Sequence, residues 1–174
     1  MRLFIAVDFD AYSEFFTQLQ SSFRDIGTFT LPRAFHLTLK FLGDVSEDNI
    51  TKIKESLSVV SFESFDARTT SFGVFPEEKY VRVLWLGLEP KEKIISLHKR
   101  IDDSLLSIFE KDERFHPHIT LARVKAIRDR KKLHELLISS VEEKEQIINS
   151  FSLIKSVLGR EGPTYETIET FQLS

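Results

Sequence analysis

Hydrophobic residues recur along this chain at two spacings, and the spacing predicts where helices and strands lie. Steps of three and four residues predict helices over 12–26 and 46–57, from Pro90 to about 108, and over 130–140. Runs rich in β-branched and aromatic residues predict strands over 2–8, 35–42, 62–75, 81–88, 116–124, 147–158 and 165–173. Helices alternating with hairpins predict an α+β fold with antiparallel sheet.

The same order indicates an internal duplication. Each half of the chain carries a helix, a strand, a second helix and then a hairpin, and no linker rich in Pro, Gly or Ser divides the two halves. We therefore expect one domain over residues 1–174, with its two halves related by an approximate two-fold axis.

Composition narrows the class of protein. The net charge is −3, and proteins that hold long nucleic acid by electrostatics alone are usually basic, so any nucleic acid is expected at one small site. There is no cysteine, and hence no disulfide, thiolate metal ligand or thiol nucleophile. No apolar run reaches the roughly 18 residues of a membrane span, and the first ten residues do not form a signal peptide. We expect a cytoplasmic protein without membrane contact.

A short motif occurs twice, once in each half. Phe35-His-Leu-Thr-Leu39 and Pro117-His-Ile-Thr-Leu121 both read His, aliphatic, Thr, Leu, with the histidines 82 residues apart. Side chains alternate between the faces of a strand, so each motif presents His and Thr on one face and its aliphatic residues on the other. If the two copies face each other, two imidazoles and two hydroxyls surround one small anionic group.

That set of groups is suited to acid–base chemistry at phosphorus. Imidazole titrates near neutrality, so one ring can accept a proton from a nucleophile while the other, protonated, donates to the leaving oxygen. Threonine hydroxyls can donate to phosphate oxygens. The residues themselves leave open which of His36 and His118 is the acid and which is the base.

Two cationic residues lie near the motifs. Arg123, five residues past His118, is the candidate phosphate ligand because a guanidinium matches two phosphate oxygens. It has the wrong strand parity and can reach the groove only if the strand bends, bulges or ends near Ala122. Lys40 has the right parity beside His36, but we expect it to be a solvated lysine.

At this point the sequence resembles a known family. His36-Leu-Thr-Leu-Lys-Phe-Leu-Gly43 and Phe115-His-Pro-His-Ile-Thr-Leu-Ala-Arg123 are similar to the paired signature of RNA 2′,3′-cyclic phosphodiesterases, also called 2′-5′ RNA ligases, of the two-histidine phosphoesterase superfamily. The opening 1–8, residues 82–87 and residues 156–165 are also similar, so the resemblance runs nearly end to end.

The resemblance implies a bilobal α+β fold, with two pseudo-two-fold-related modules of antiparallel sheet and helices around a central groove. It implies hydrolysis of an RNA or nucleotide 2′,3′-cyclic phosphate to a 2′-phosphate without metal or cofactor, and reversible 2′-5′ joining of RNA ends. By position, His36 would be the proton donor and His118 the proton acceptor, with Thr38, Thr120 and Arg123 holding the phosphate. RNA ends or small cyclic nucleotides would be the substrates, and we expect a monomer.

Several alternatives stay open. The groove could serve a non-catalytic module that binds nucleotides or RNA ends. His116 could pair with His118 on a metal, although no Asp, Glu or Cys cluster completes such a site. We expect His98 and His134 to be surface residues. Phe41, Phe75 and Tyr80 could pack in the core or loops, or one of them could stack on an unpaired base. The basic run 125–132 could be the solvated start of a helix or could contact an RNA backbone.

Overall fold

The computed structural model describes residues 1–174 and contains nine strands, four α-helices and two short 3-10 turns. The helices follow the predicted apolar stripes. In chain order the elements are β1 Arg2–Asp8, α1 Ser13–Phe23, β2 Gly27–Thr30, β3 His36–Asp44, α2 Glu47–Ser58, β4 Phe65–Glu77, β5 Tyr80–Glu89, α3 Lys91–Ser104, β6 His118–Ile127, α4 Arg130–Leu137, β7 Glu145–Ile148, β8 Ser150–Gly159 and β9 Gly162–Gln172.

All nine strands belong to one antiparallel sheet. Eight run in the order β7-β4-β5-β6-β3-β1-β8-β9, and β2 pairs with β6 beside this path. The order divides into two four-stranded lobes, β7-β4-β5-β6 and β3-β1-β8-β9, which meet where β6 lies beside β3. That junction is narrow, because only Leu37 and Ile119 pair across it.

Each lobe is built from both halves of the chain. Two similar runs of elements follow one another, β1-α1-β3-α2-β4 and β5-α3-β6-α4-β8. The last strand of the first run, β4, pairs with β5 of the second, and β8 of the second run pairs with β1 of the first. The lobes are therefore related by an approximate two-fold axis that exchanges β3 with β6.

The helices pack against one face of the sheet. That face carries the main core of 34 buried residues, which joins helix positions such as Phe16 and Leu97 to strand positions such as Leu37 and Ile119. A separate small cluster of Phe4, Ala6 and Ile154 lies on the opposite face. All three of its residues come from strands and none from a helix, so this second face of the sheet is the one that lines the groove.

Several predicted boundaries differ by a few residues, as in α3 and α4, which end at Ser104 and Leu137 rather than near 108 and 140. Three differences are larger. Residues 147–158 form two strands rather than one, because the chain passes from one lobe to the other at Asn149 and β7 and β8 pair with different neighbours. The short strand β2 was not expected. The first helix ends at Phe23, and a 3-10 turn, Arg24–Ile26, completes the predicted apolar stripe.

Candidate active site

Both motif strands carry a bulge at the same point. In β3, Thr38 pairs with Ala6 and Lys40 with Ile5, which leaves Leu39 unpaired. In β6 the corresponding residue, Leu121, is left out between Thr120 and Ala122, which pair with Trp85 and Leu84. A bulge reverses the alternation of side chains beyond it.

The bulge in β6 resolves the parity of Arg123. Leu121 and Ala122 are both buried, and Arg123 is exposed on the same face as His118 and Thr120. The sequence made a bend or bulge near Ala122 the condition for Arg123 to reach the groove, and the structure meets that condition.

The bulge in β3 has the opposite consequence for Lys40, for which the solvated position expected from the sequence is wrong. Lys40 is only 5% exposed and faces the helices, where its Nζ donates to Asp102 Oδ1 at 2.5 Å and to the carbonyl of Glu110 at 3.1 Å. The side chain that takes the groove face instead is Phe41, which is 71% exposed.

The junction of β3 with β6 brings the four motif side chains together. Because Leu37 pairs with Ile119 in antiparallel register, His36 lies across from Thr120 and His118 across from Thr38, all four on the groove face. The two histidines are diagonal neighbours in this block, a relation that separates Cα atoms by roughly 7–8 Å. That separation leaves room for one phosphate between the two rings.

His36 lies against an apolar wall in the lobe β3-β1-β8-β9. Its ring centroid is 5.0 Å from that of Phe4 and 5.4 Å from that of Tyr165, which meets it edge-on. Burial lowers the pKa of His36 to about 4, the positive charge of His118 adds to this shift, and the carboxylate of Asp8 opposes it. Asp8 is the residue paired with His36 across β1 and β3.

His118 is held in a defined tautomer. Its Nδ1 lies 2.7 Å from the carbonyl oxygen of His116, which can only accept, so Nδ1 carries a proton and Nε2 is left as the acceptor of the neutral ring. Burial lowers the pKa of His118, the bond to His116 opposes that change, and the positive charges of His116 and Arg123 add to it. The neutral ring is the form a general base needs.

An aromatic floor supports His118. The ring of Phe75 meets it edge-on at 4.9 Å, and Trp85 lies 6.1 Å away. Trp85 can lie flat on the sheet because residue 73 is glycine: a Cβ there would come within 2.1 Å of the indole. His116 packs on the same indole at 4.9 Å.

Two further side chains in the groove, Asp8 and Tyr165, are marked by no motif or spacing in the sequence. Asp8 comes from β1 and Tyr165 from β9, so neither belongs to the repeated motif. Burial raises the pKa of the Tyr165 hydroxyl and the nearby charge of Arg123 opposes the shift, so this hydroxyl keeps its proton at neutral pH. Tyr165 and Arg123 come from opposite lobes and are close enough to interact electrostatically.

The remaining histidines divide between core and surface. His98, expected at the surface, is instead 2% exposed: it stacks on Phe115 at 4.0 Å, and its Nδ1 lies 2.7 Å from the carbonyl of Leu39. His134 is exposed, as expected, and contacts Glu78. The structure contains no group of three or more His, Cys, Asp or Glu side chains that could hold a metal ion. None of its helices has the length and apolar content needed to cross a bilayer.

The other candidates for RNA contact differ in position. Phe75 is part of the floor beneath His118, and Tyr80 lies under the guanidinium of Arg82 at 4.8 Å, at the β4–β5 turn. Within the basic run, Arg128 bonds Thr28 and Gly27, Arg130 bonds the carbonyl of Glu78, and Lys132 pairs with Asp25. The run therefore serves mainly to join β6 and α4 to the rest of the fold.

Comparison with known proteins identifies relatives over the whole chain. A profile described as the 2′-5′ RNA ligase superfamily matches residues 9–160. A protein of Methanothermobacter thermautotrophicus named RNA 2′,3′-cyclic phosphodiesterase is 34% identical over 182 aligned positions, which cover 99% of each chain.

Solved structures agree with this result. The protein TT0787 of Thermus thermophilus superimposes with a TM-score of 0.79 and 28% identity, over 99% of this chain and 97% of its own. E. coli LigT complexed with 3′-AMP superimposes with a TM-score of 0.78 and 23% identity, over 99% of this chain and 98% of its own. The bilobal α+β fold expected from the sequence is confirmed.

Proposed function

The chain belongs to the 2′-5′ RNA ligase superfamily, and from this membership we propose that it hydrolyses a terminal RNA 2′,3′-cyclic phosphate to a 2′-phosphate. Three relatives named RNA 2′,3′-cyclic phosphodiesterase, 33–36% identical over 85–99% of this chain, support an enzyme of this class. The observation that carries the mechanism is the pairing of Leu37 with Ile119, from which the two His/Thr pairs share one face.

In the proposed reaction His118 is the general base. Its free Nε2 takes a proton from a water molecule, and the water oxygen bonds to phosphorus on the side opposite the 3′ oxygen. As the bond between phosphorus and the 3′ oxygen breaks, His36 donates a proton to that oxygen. The products are a 2′-phosphate and a free 3′-hydroxyl, and the proton taken from water replaces the one that His36 gave up.

The neighbours of the two rings favour this division of roles. The carboxylate of Asp8 raises the pKa of His36, and the guanidinium of Arg123 lowers that of His118. Burial nevertheless keeps His36 neutral in the free protein at neutral pH. A bound phosphate anion adds to the effect of Asp8, so the proposal requires the substrate itself to promote protonation of His36.

The phosphate would be held without a metal. Arg123 supplies the positive charge and a planar set of donors, and Thr38 and Thr120 supply hydroxyl donors from the same face. The same arrangement, with a 5′-hydroxyl in place of water, forms a 2′-5′ phosphodiester, which is the second activity implied by the superfamily. Reversible ligation is therefore part of the proposal.

Phe41 is the side chain best placed to stack on the terminal base. It is 71% exposed, and its ring lies 6.2 Å from Phe4 on the groove face. Stacking on an aromatic ring recognises a base without requiring a particular sequence. The E. coli neighbour crystallised with 3′-AMP shows that a protein of this fold takes a ligand made of a phosphate and a base.

The direct test is turnover of an RNA oligonucleotide ending in a 2′,3′-cyclic phosphate, in the presence of EDTA. We expect complete conversion to a 2′-phosphate end and no 3′-phosphate. The small nucleotide 2′,3′-cyclic AMP, assayed in parallel, separates a preference for RNA from general nucleotide hydrolysis. Tight binding without turnover would favour the non-catalytic alternative, and activity that returned only on adding a divalent metal would contradict the metal-free mechanism.

A further inference from the structure

We infer that Gln20 and His98 are positioning residues that hold the two bulges of the motif strands, and through them Arg123 and Phe41. Gln20 Nε2 donates to the carbonyl of Leu121, the bulged residue of β6, at 3.0 Å. His98 Nδ1 lies 2.7 Å from the carbonyl of Leu39, the bulged residue of β3. The inference rests on the proposed function, because it assigns Arg123 to the phosphate and Phe41 to the base.

The two contacts are equivalent under the pseudo-two-fold. Leu39 and Leu121 are 82 residues apart, as His36 and His118 are. Gln20 comes from α1 and His98 from α3, the matching helices of the two repeats, and they are 5% and 2% exposed. A bulged residue has no partner in the sheet ladder, and a buried carbonyl without a partner is unfavourable, so a buried donor from the helix layer stabilises each bulge.

Each of these residues also touches the segment that leads into the other motif. Gln20 Nε2 donates to the carbonyl of Pro32, four residues before His36, at 2.9 Å. The ring of His98 stacks on Phe115, three residues before His118. Gln20 and His98 therefore link the strand of one histidine to the approach of the other.

The link at β3 is extended by a buried ion pair. Asp102 accepts from Lys40 through one oxygen and from the backbone N–H of Asp112 through the other, at 3.0 Å. Lys40 follows the bulged Leu39 directly. The β3 bulge and the segment before β6 are thus joined by both His98 and Lys40.

A regular strand in place of either bulge would reverse the side chains beyond it. Arg123 would then turn towards the helices and leave the groove, and Phe41 would do the same in β3. Loss of the Gln20 contact should therefore act on the phosphate side of the groove. Loss of the His98 contact should act on the base side.

The test compares Gln20→Leu with His98→Phe, which keeps the stack on Phe115. The matched controls are Gln18→Leu, an exposed position on the same helix, and His134→Phe. Affinities for inorganic phosphate and adenosine 2′-phosphate are measured by calorimetry. We expect Gln20→Leu to reduce the affinity for inorganic phosphate at least fivefold. We expect His98→Phe to change the affinity for inorganic phosphate by less than twofold and to reduce the affinity for adenosine 2′-phosphate at least threefold.

Two further measurements separate positioning from general destabilisation. In a Gln20→Leu background, Arg123→Ala should cause little additional loss of phosphate affinity, because Arg123 is already displaced. Gln20→His and His98→Asn keep a donor near the carbonyl and should restore most of the affinity. If Gln20→Leu or His98→Phe fails to fold, Gln20→Met or His98→Leu, which also lacks the donor, takes its place with the same expected losses.

Equal loss of both ligands in both variants would overturn the inference, and so would variants that behave like Gln18→Leu and His134→Phe. Wild-type protein that binds phosphate but does not open a cyclic phosphate would instead count against the proposed function and leave the positioning roles standing.

Discussion

The strands β3 and β6 share one backbone geometry but have different neighbours. Each presents a His and a Thr to the groove and then bulges at a leucine. Across the neighbouring strand, Asp8 pairs with His36, whereas Gly87 pairs with His118. The backbone thus places the two imidazoles in equivalent positions. The neighbouring strands differ, so His36 has a carboxylate beside it and His118 does not.

The positions just past the bulges differ in the same way. β3 turns Phe41 into the groove and β6 turns Arg123. The His36 side of the groove combines exposed Phe41 with the carboxylate of Asp8, and the His118 side carries the positive charge of Arg123 beside the aromatic floor of Phe75 and Trp85. Divergence at these few positions makes the two copies of the duplicated unit unlike, which is what the proposed ligand, a base joined to a phosphate, would require.

Removing either imidazole should have the largest effect. We expect His36→Ala and His118→Ala each to reduce kcat roughly 10²–10⁴-fold, since each removes one proton transfer. The double variant should be about as impaired as either single variant, because the two rings act as a unit. His134→Ala is the control, and the measurement is steady-state hydrolysis of a cyclic-phosphate RNA. Unequal losses, with one variant near wild type, would show that the rings do not act as a pair.

The burial of His36 should make stability depend on pH. The pKa of His36 is about 4 in the folded protein, below its ordinary value of 6.5, so the unfolded chain binds the proton first as pH falls. As pH falls from 6.5 to about 4, the free energy of unfolding should therefore decrease by up to about 3 kcal/mol because of this group. Urea unfolding across this range measures it. His36→Asn should flatten the dependence, and an unchanged slope would contradict the depressed pKa.

Arg123→Ala tests the charged side. A charge-assisted hydrogen bond contributes about 1.5–3 kcal/mol, so we expect inorganic phosphate to bind roughly 10- to 150-fold more weakly. Calorimetric titration gives the affinity, and Lys125→Ala, on the same strand, is the control. If phosphate binds as tightly to the variant as to wild type, Arg123 is not a phosphate ligand.

Phe41→Ala tests the aromatic side. Loss of a base stack costs about 1–3 kcal/mol, so adenosine 2′-phosphate should bind roughly 5- to 150-fold more weakly. Inorganic phosphate has no base, and its affinity should not change. The same titration measures both ligands, and equal weakening of the two would mean that Phe41 maintains the groove rather than binding the base.

Asp8→Asn should have the smallest effect. The Asp8 carboxylate raises the pKa of His36, so the variant should hold the proton on His36 less well and lose about three- to tenfold in kcat. NMR titration of the ring protons should show a lower pKa for His36 and little change for His118. Asp44→Asn, at the other end of the same strand pair, is the control, and a uniform change at both histidines would exclude a local effect.

Much of this site follows from the sequence because strand alternation is a local rule. The His-x-Thr spacing alone predicted that His36 and Thr38 share a face and that their leucines enter the core. The same rule identified the bulge that Arg123 would need. It fails for Lys40, because β3 carries an equivalent bulge at Leu39 that turns the lysine towards the helices.

Other features depend on contacts between distant segments. His98 lies on a helix stripe that looks half polar, and only its carbonyl partner on β3 shows that it is buried. Asp8 and Tyr165 reach the groove from strands that contain no motif. Asp8 lies in the groove because β1 pairs with β3, and Tyr165 lies there because β9 follows β8, which crosses to pair with β1. No spacing within one segment encodes these pairings.

The central claim is that His36 and His118 meet on one phosphate. It is tested most directly by following the Cε1–H resonances of both rings by NMR while adenosine 2′-phosphate is added. The account predicts that both signals shift together, with one shared dissociation constant, and that both pKa values rise when the ligand is bound. Response of only one ring, or saturation of the two at different ligand concentrations, would contradict it.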